Sequence, residues 1–260
     1  MDNNQKFKTK KRFGQHLLIS EGVIQKIVDE IEIIDNDVIV EIGVGTGQLT
    51  EEILKRNPKL VYGIELDKTA YPIIEERFKN YKNFHLIKED YFNVNLYDLA
   101  KGEPIKLVGN LPYNVSSLIL VDTAFKIDII QLMVFMIQKE VALKLIAKPK
   151  SKEYTFLSVF IQTFFEIKYI MSVPARFFSP PPKVTSAVVK LIPKKDIPVK
   201  DIKEYKNFVS KLFSQRRKML RTKIDENILL EAGIKPTART EELSVSEFIK
   251  LFNIYKNSHS

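Results

Sequence analysis

The chain has 260 residues, with 41 Lys and Arg against 32 Asp and Glu, a net charge of +9, 45% hydrophobic residues and no cysteine. That length supports a packed core in one large or two modest domains, and the composition excludes a disordered chain. No uncharged apolar run approaches the roughly 18 to 20 residues of a membrane span, the N-terminus lacks an apolar signal core, and the absence of Cys excludes disulfides, Cys-ligated metal and a thiol nucleophile.

The charge is uneven. Residues 1–12 carry Lys6, Lys8, Lys10, Lys11 and Arg12 against Asp2 alone, and 193–260 carry fifteen cations against nine acids. The middle, 13–192, is nearly balanced at 21 against 22. Basic ends suit a polyanion; a Lys-rich solvated surface suits the same count.

In chain order, Ile24, Ile27, Val28 and Ile31 recur at helical spacing, and the β-branched run Val38–Ile42 predicts a strand. A helix with Leu49, Ile53 and Leu54 on one face follows, then strands at Val61–Glu65, Phe84–Ile87, Ile105–Gly109 and Ile129–Ile137. Strands alternating with helices predict a mostly parallel, doubly wound α/β sheet. The last strands, Phe164–Val173 and Ser186–Leu191, are separated only by a Pro-rich segment, Pro174–Pro182, which predicts a hairpin edge. The texture changes at Pro193–Pro198. Beyond it the pattern predicts a long amphipathic helix from Ile202 to Met219 and Leu220, a helix end at Ala232–Gly233, and a helix over Ser244–Phe252 capped by Ser244 with Glu247 three residues on. Three regions follow: a basic arm 1–12, an α/β domain 13–192 and a small all-helical domain 193–260.

The first site signal is Glu41-Ile-Gly43-Val-Gly45-Thr-Gly47, directly after a strand and opening a helix. Glycines there let the backbone turn sharply and approach a ligand. Eighteen residues past Gly47 the next strand ends in Glu65, placed to bind two ribose hydroxyls. An acid just before the loop, Glu41, disfavours a pyrophosphate and favours a cationic ligand, such as the ammonium or sulfonium of S-adenosylmethionine. Asp90, after the third strand, is either an acceptor for an adenine amine or a plain helix cap.

The second signal is Asn110-Leu111-Pro112-Tyr113 at the end of the strand Ile105–Gly109. An exocyclic base amine is a poor nucleophile because its lone pair is delocalised. The side-chain oxygen of Asn110 and the carbonyl of Pro112 are each positioned to accept one N–H, aiming the lone pair at a methyl group while Tyr113 stacks on the base. Stacking supplies on the order of 1–3 kcal/mol, against the few kcal/mol needed to extract a base. Outside this context the same residues make a simple turn. His16, His85 and His259 lack metal-type spacing, and no metal is required.

The chain resembles the KsgA-type small-subunit rRNA adenine dimethyltransferases, the sister group of the Erm methyltransferases. The resemblance spans Arg12–Leu18, Glu41–Leu49, Glu65, Asp90, Asn110–Asn114 and Pro174–Ser186. In the tail, Phe213–Arg221 and Gly233–Arg239 match the KsgA branch more than Erm. His16 (where Asn is also common) and Leu17 (for the usual Phe) are minor departures.

The resemblance implies a Rossmann-like S-adenosylmethionine domain with a helical C-terminal RNA-binding domain. His16 and Leu18 would line the cofactor pocket with Gly43, Gly45, Glu65 and Asp90. Asn110 would touch cofactor and target amine both, and Phe178 would face Tyr113 across the base, unless Phe177 and Phe178 are plain core. Lys10, Lys11, Arg12, Arg216, Arg217, Lys218 and Arg221 would grip phosphates, the alternative for the tail cluster being a solvated helix face. The implied activity is N6,N6-dimethylation of two adjacent adenines in the 3′-terminal hairpin loop of 16S rRNA, by a cytoplasmic monomer acting on the assembling small subunit. The rivals are Erm-type methylation of 23S rRNA and a non-catalytic factor that binds pre-ribosomal RNA.

Overall fold

The structure, a computed structural model, describes residues 16–258. Lys10, Lys11, Arg12 and His259 lie outside the described residues.

The chain opens with β1 (Leu17–Leu18) and α1 (Glu21–Ile31). The helix turns Val23, Ile24, Ile27, Val28 and Ile31 inward, the stripe its spacing predicts. Next come β2 (Val38–Ile42), α2 (Gln48–Leu54), β3 (Leu60–Ile64), α3 (Tyr71–Phe78), β4 (Phe84–Ile87), α4 (Leu96–Ala100), β5 (Ile105–Asn110) and α5 (Ser116–Ala124). They are followed by β6 (Ile130–Gln138), α6 (Lys139–Leu145), α7 (Phe156–Phe164), β7 (Phe165–Val173), β8 (Phe178–Ser179) and β9 (Ser186–Pro193). The tail holds α8 (Ile202–Ser214), α9 (Glu226–Glu231) and α10 (Val245–Asn257).

Seven strands form one sheet in the order β4-β3-β2-β5-β6-β9-β7. The pairs β2–β3, β2–β5, β3–β4 and β5–β6 are parallel. Every residue of β2 is buried, as expected of a central strand covered on both faces. With β3 on one side of β2 and β5 on the other, the strand order reverses there. A crevice therefore opens beyond the C-terminal ends of β2 and β5. At the edge, β9 and β7 are neighbours, as the closely spaced last strands predict. One ion pair is sunk in the base of the sheet: Lys106 on β5 reaches Asp37 at 2.7 Å, and both side chains are 5% exposed. Lys106 also donates to the Glu32 carbonyl, so the buried cation is satisfied on two sides.

The chain divides into two compact units. One runs to Ser116 and resumes over Asp128–Lys139 and Tyr169–Lys190; the other holds Ser117–Ile127, Glu140–Lys168 and the tail from Leu191. This division differs from a single cut at 192/193, because α5, α6 and α7 fall largely in the helical unit. The reason lies in α7, which buries seven of its nine residues and so needs partners on nearly every side. Phe160 packs against Phe164 and Tyr205, and Tyr205 against Phe252. The polar tips are satisfied within the same unit: Tyr205 pairs with Thr163 at 2.9 Å, and Tyr154 donates to the Leu243 carbonyl at 2.9 Å.

The tail departs from the predicted pattern at one point. α8 ends at Ser214 instead of continuing to Leu220. Its orphan carbonyl at Leu212 accepts from Lys223 Nζ and Thr240 Oγ1, which replace the next helical turn. Residues 220–222 form a short 3-10 turn, and Met219 bridges to Arg239. The other two tail features follow the sequence. Gly233 adopts φ +75° after α9, and Ser244 with Glu247 makes a capping box on α10.

Candidate active site

The glycine loop joins β2 to α2 at the reversal point. Gly43 (φ +80°) donates its N–H to Ile64 O at 2.9 Å, tying the loop to β3. Gly45 has φ +60°, and a Cβ there would meet Leu17 Cδ2 at 2.9 Å. The positive φ favours glycine there, a Cβ would push the tip of Leu17 aside, and β1 lies over the loop.

Glu65 follows β3 and is 4% exposed. Oε2 accepts from Gly45 N and Oε1 from Asp67 N, both at 2.8 Å. Burial raises its pKa above the ordinary carboxylate range, opposed by these backbone N–H groups. A carboxylate has about four acceptor sites, so two remain for a ribose diol.

Glu41 behaves differently. It is 1% exposed and accepts from Thr50 Oγ1 at 2.5 Å. Desolvation pushes its pKa up to about 8, against the Thr50 bond and with a smaller contribution from Glu65. At neutral pH the group is mostly protonated, so the expected attraction of Glu41 for a cationic ligand is not supported. The cause is its position: it points into the core under α2, with hydroxyl company and no cation.

Asp90 follows β4 and accepts from Phe92 N through Oδ1, capping a short 3-10 turn. The cap reading of this acid is thus realised at one oxygen.

Asn110 is the last residue of β5 and gives its Nδ2 to the His16 carbonyl at 2.8 Å. The reverse orientation would set two oxygens at that distance, so nitrogen faces His16 and Oδ1 faces away as an acceptor. Leu111 is buried, and its N–H continues the ladder to Met136 O at 3.0 Å. The Pro112 carbonyl corrects an expectation. It accepts from Val115 N at 3.1 Å and Ser116 N at 3.0 Å, the opening bonds of α5. A helix that starts four residues later, at Ser116, engages that oxygen. Among the described residues no backbone N–H reaches the Leu111 carbonyl.

Tyr113 is half-buried, its hydroxyl 2.6 Å from Ser186 Oγ. Burial raises the phenol's pKa, and the Ser186 bond opposes that rise. The ring nearest to it is His16, at 5.7 Å and 30°. His16 Nδ1 donates to Pro180 O at 2.8 Å. Leu18 and Phe178 are register partners of β1 and β8, and both are buried. Phe178 is 2% exposed, buried as core packing would have it.

The structure thus brings together His16, Leu18, Gly45, Glu65, Asn110 and Tyr113 in one unit. Ser186, Leu17 and Thr50 complete the arrangement; nothing local in the sequence distinguishes them, because each acts through a partner distant along the chain.

In the helical unit, Arg216, Arg217, Lys218 and Arg239 line a cleft of about 710 Å³ with Phe213 and Glu241. Arg216 is already engaged: it pairs with Glu241 and donates to the Lys152 and Ser151 carbonyls at 3.1 Å. Arg217, Lys218 and Arg221 are exposed. The tail cluster therefore contains one brace and three solvent-facing cations.

A family model described as ribosomal RNA adenine dimethylase matches residues 6–257. A ribosomal RNA small subunit methyltransferase A from Persephonella marina is 70% identical over 256 residues, spanning 96% of each chain. One from Clostridium botulinum (strain Okra / Type B1) is 40% identical over 261 residues, spanning 96% of this chain and 94% of that one. The crystal structure of a dimethyladenosine transferase from Plasmodium falciparum superposes with TM-score 0.78 at 25% identity, over 94% of this chain and 98% of that chain. The 23S rRNA methyltransferase ErmE superposes with TM-score 0.71 at 24% identity, over 92% and 99%, a likeness of fold. The chain belongs to the ribosomal RNA adenine dimethylase family, whose members are S-adenosylmethionine-dependent RNA adenine methyltransferases.

Proposed function

We propose that this chain dimethylates N6 of two adjacent adenines in the 3′-terminal hairpin loop of 16S rRNA, as a monomer acting on assembling small subunits in the cytoplasm. The observation that carries the reading is the Asn110 amide, held by the His16 carbonyl so that its oxygen faces away as an acceptor. Support for the small-subunit branch comes from relatives of 70% and 40% identity named for that subunit.

S-adenosylmethionine supplies an electrophilic methyl on a sulfonium. Glu65 accepts from the ribose hydroxyls, and the second oxygen of Asp90 accepts from the cofactor's adenine amine. Loop residues Gly43 and Gly45 give the backbone room beside it, walled by His16 and Leu18. Asn110 Oδ1 and the Leu111 carbonyl, in place of Pro112, each accept one N–H of the target amine. That frees the amine lone pair from the ring for an N–C bond that would form as the methyl–sulfur bond breaks and a neutral thioether leaves; the two acceptors would stabilise the nitrogen while it is cationic, before its proton passes to solvent. Tyr113 stacks on the base and fixes its plane; holding nucleophile and methyl in line supplies much of the rate. Phe178 covers the opposite face. Lys10, Lys11, Arg12, Arg217, Lys218 and Arg221 grip RNA phosphates.

The test is mass-spectrometric mapping of methylated adenines after incubation with assembling small subunits and, separately, free 23S RNA. Two dimethyladenines at the end of 16S rRNA are expected. Product on 23S RNA alone would transfer the chain to Erm-type activity, and no measurable S-adenosylmethionine binding would leave a non-catalytic RNA-binding factor.

A further inference from the structure

Tyr113 carries a polar handle that the stacking role does not use. A phenylalanine would present the same π-face, yet here a phenol is sunk beside a fully buried serine. Tyr113 OH and Ser186 Oγ stand 2.6 Å apart, and Ser186 is 0% exposed. Ser186 is itself immovable. It is the first residue of β9, an interior strand of the sheet, and the preceding Thr185 carbonyl accepts from Lys139 N at 2.9 Å. The ring therefore cannot swing away about χ1 without breaking this bond and leaving the buried Ser186 hydroxyl unpaired.

We propose that Ser186 is a positioning residue for methyl transfer, holding the Tyr113 ring at one place in the pocket through its phenol before the target base arrives. The inference rests on the proposed function, since it assigns Tyr113 to the extracted base. A ring already held in one χ1 rotamer loses less freedom when the base lands on it, so more of the stacking energy offsets base extraction. The second methylation gains most, because a monomethylated amine must be presented again in a pocket that now holds an extra methyl. Ser186 touches neither substrate nor cofactor and acts only through the phenol.

The experiment is a double-mutant cycle with Ser186→Ala, Tyr113→Phe and the double variant, read as single-turnover rates of the first and second methyl transfers. Each single variant leaves one buried hydroxyl unpaired. Each is expected to slow transfer about tenfold, the size of one lost hydrogen bond, with monomethyl product accumulating and S-adenosylmethionine affinity unchanged. The double variant, with no orphaned hydroxyl, is expected to be no slower than either single one. Melting temperature is measured alongside, and the double variant keeps the comparison valid if Ser186→Ala alone folds poorly. Multiplicative losses, or a wild-type rate in Ser186→Ala, would overturn the pin while leaving the proposed function intact. Failure of the unsubstituted chain to methylate RNA would overturn both.

Discussion

The two units treat their polar groups in opposite ways. At the strand ends of the α/β unit, each of two candidate side chains is anchored and still keeps acceptor capacity. Glu65 keeps acceptor sites after meeting Gly45 and Asp67, and Asn110 keeps its oxygen after spending its nitrogen on His16. In the helical unit the tail cluster splits by residue instead. Arg216 is consumed by Glu241 and two carbonyls, while Arg217, Lys218 and Arg221 face solvent. Precise geometry at the first site needs anchoring and open acceptor capacity on one residue; gripping a flexible polyanion needs only exposed charge on a braced scaffold.

The sharpest way to break this contrast is at Asn110. Asn110→Ala removes the acceptor and the tie to His16 together, and is expected to slow methyl transfer at least about 10²-fold with RNA affinity nearly unchanged. A filter-binding assay run beside the methylation assay checks both halves. Glu65→Ala comes next: the loss of charged acceptors for a ribose should weaken S-adenosylmethionine about 10- to 100-fold by calorimetry.

The helical unit should respond in salt dependence instead of chemistry. Replacing Arg217, Lys218 and Arg221 by Gln is expected to lower the log–log salt slope of RNA binding by about 2 to 3, leaving cofactor affinity alone. Arg216→Gln should change that slope little and lower the melting temperature, because it orphans Glu241 and the carbonyls of Ser151 and Lys152. An equal fall in slope from Arg216→Gln would dissolve the distinction between brace and grip.

The smallest effect concerns Glu41. Its folded pKa of about 8 lies above the ordinary carboxylate value of 4.5, so the native state holds a proton that the unfolded chain releases. Its contribution to stability is full below about pH 4.5 and is lost as pH rises through 8. Glu41→Gln, which keeps an acceptor for Thr50, should flatten the fall in melting temperature across that window by several degrees.

The parallel core was legible because short β-branched runs separated by turn residues have few other homes, and the observed strands fall within about a residue of those runs. The apolar stretch Phe156–Phe164 gave no comparable signal: it is buried almost all round, which erases the one-sided stripe that marks a helix. The early end of α8 was invisible because Lys223 and Thr240, not a local Gly or Pro, satisfy the Leu212 carbonyl. At the site, the motif located Asn110–Tyr113, but which carbonyl stays open depends on where α5 begins. Pro112 looked suitable in sequence and is taken by Val115 and Ser116. The charge on Glu41 failed for a related reason, since sequence shows an acid but not whether burial lets it ionise.

The orientation of the Asn110 amide has a consequence for base selection. With its nitrogen turned to His16, and in the proposed reading with the Leu111 carbonyl beside it, the pocket presents two acceptors to the edge of an incoming base. Guanine and uracil carry a carbonyl oxygen at the corresponding edge and would bring acceptor against acceptor. Adenine and cytosine bring an amine. A buried site that must hydrogen-bond its substrate rejects a mismatched group far more strongly than a hydrophobic pocket rejects a missing methylene. In that reading, one hydrogen bond donated to the carbonyl of residue 16 sorts the four bases into two pairs, and leaves only ring size to separate adenine from cytosine.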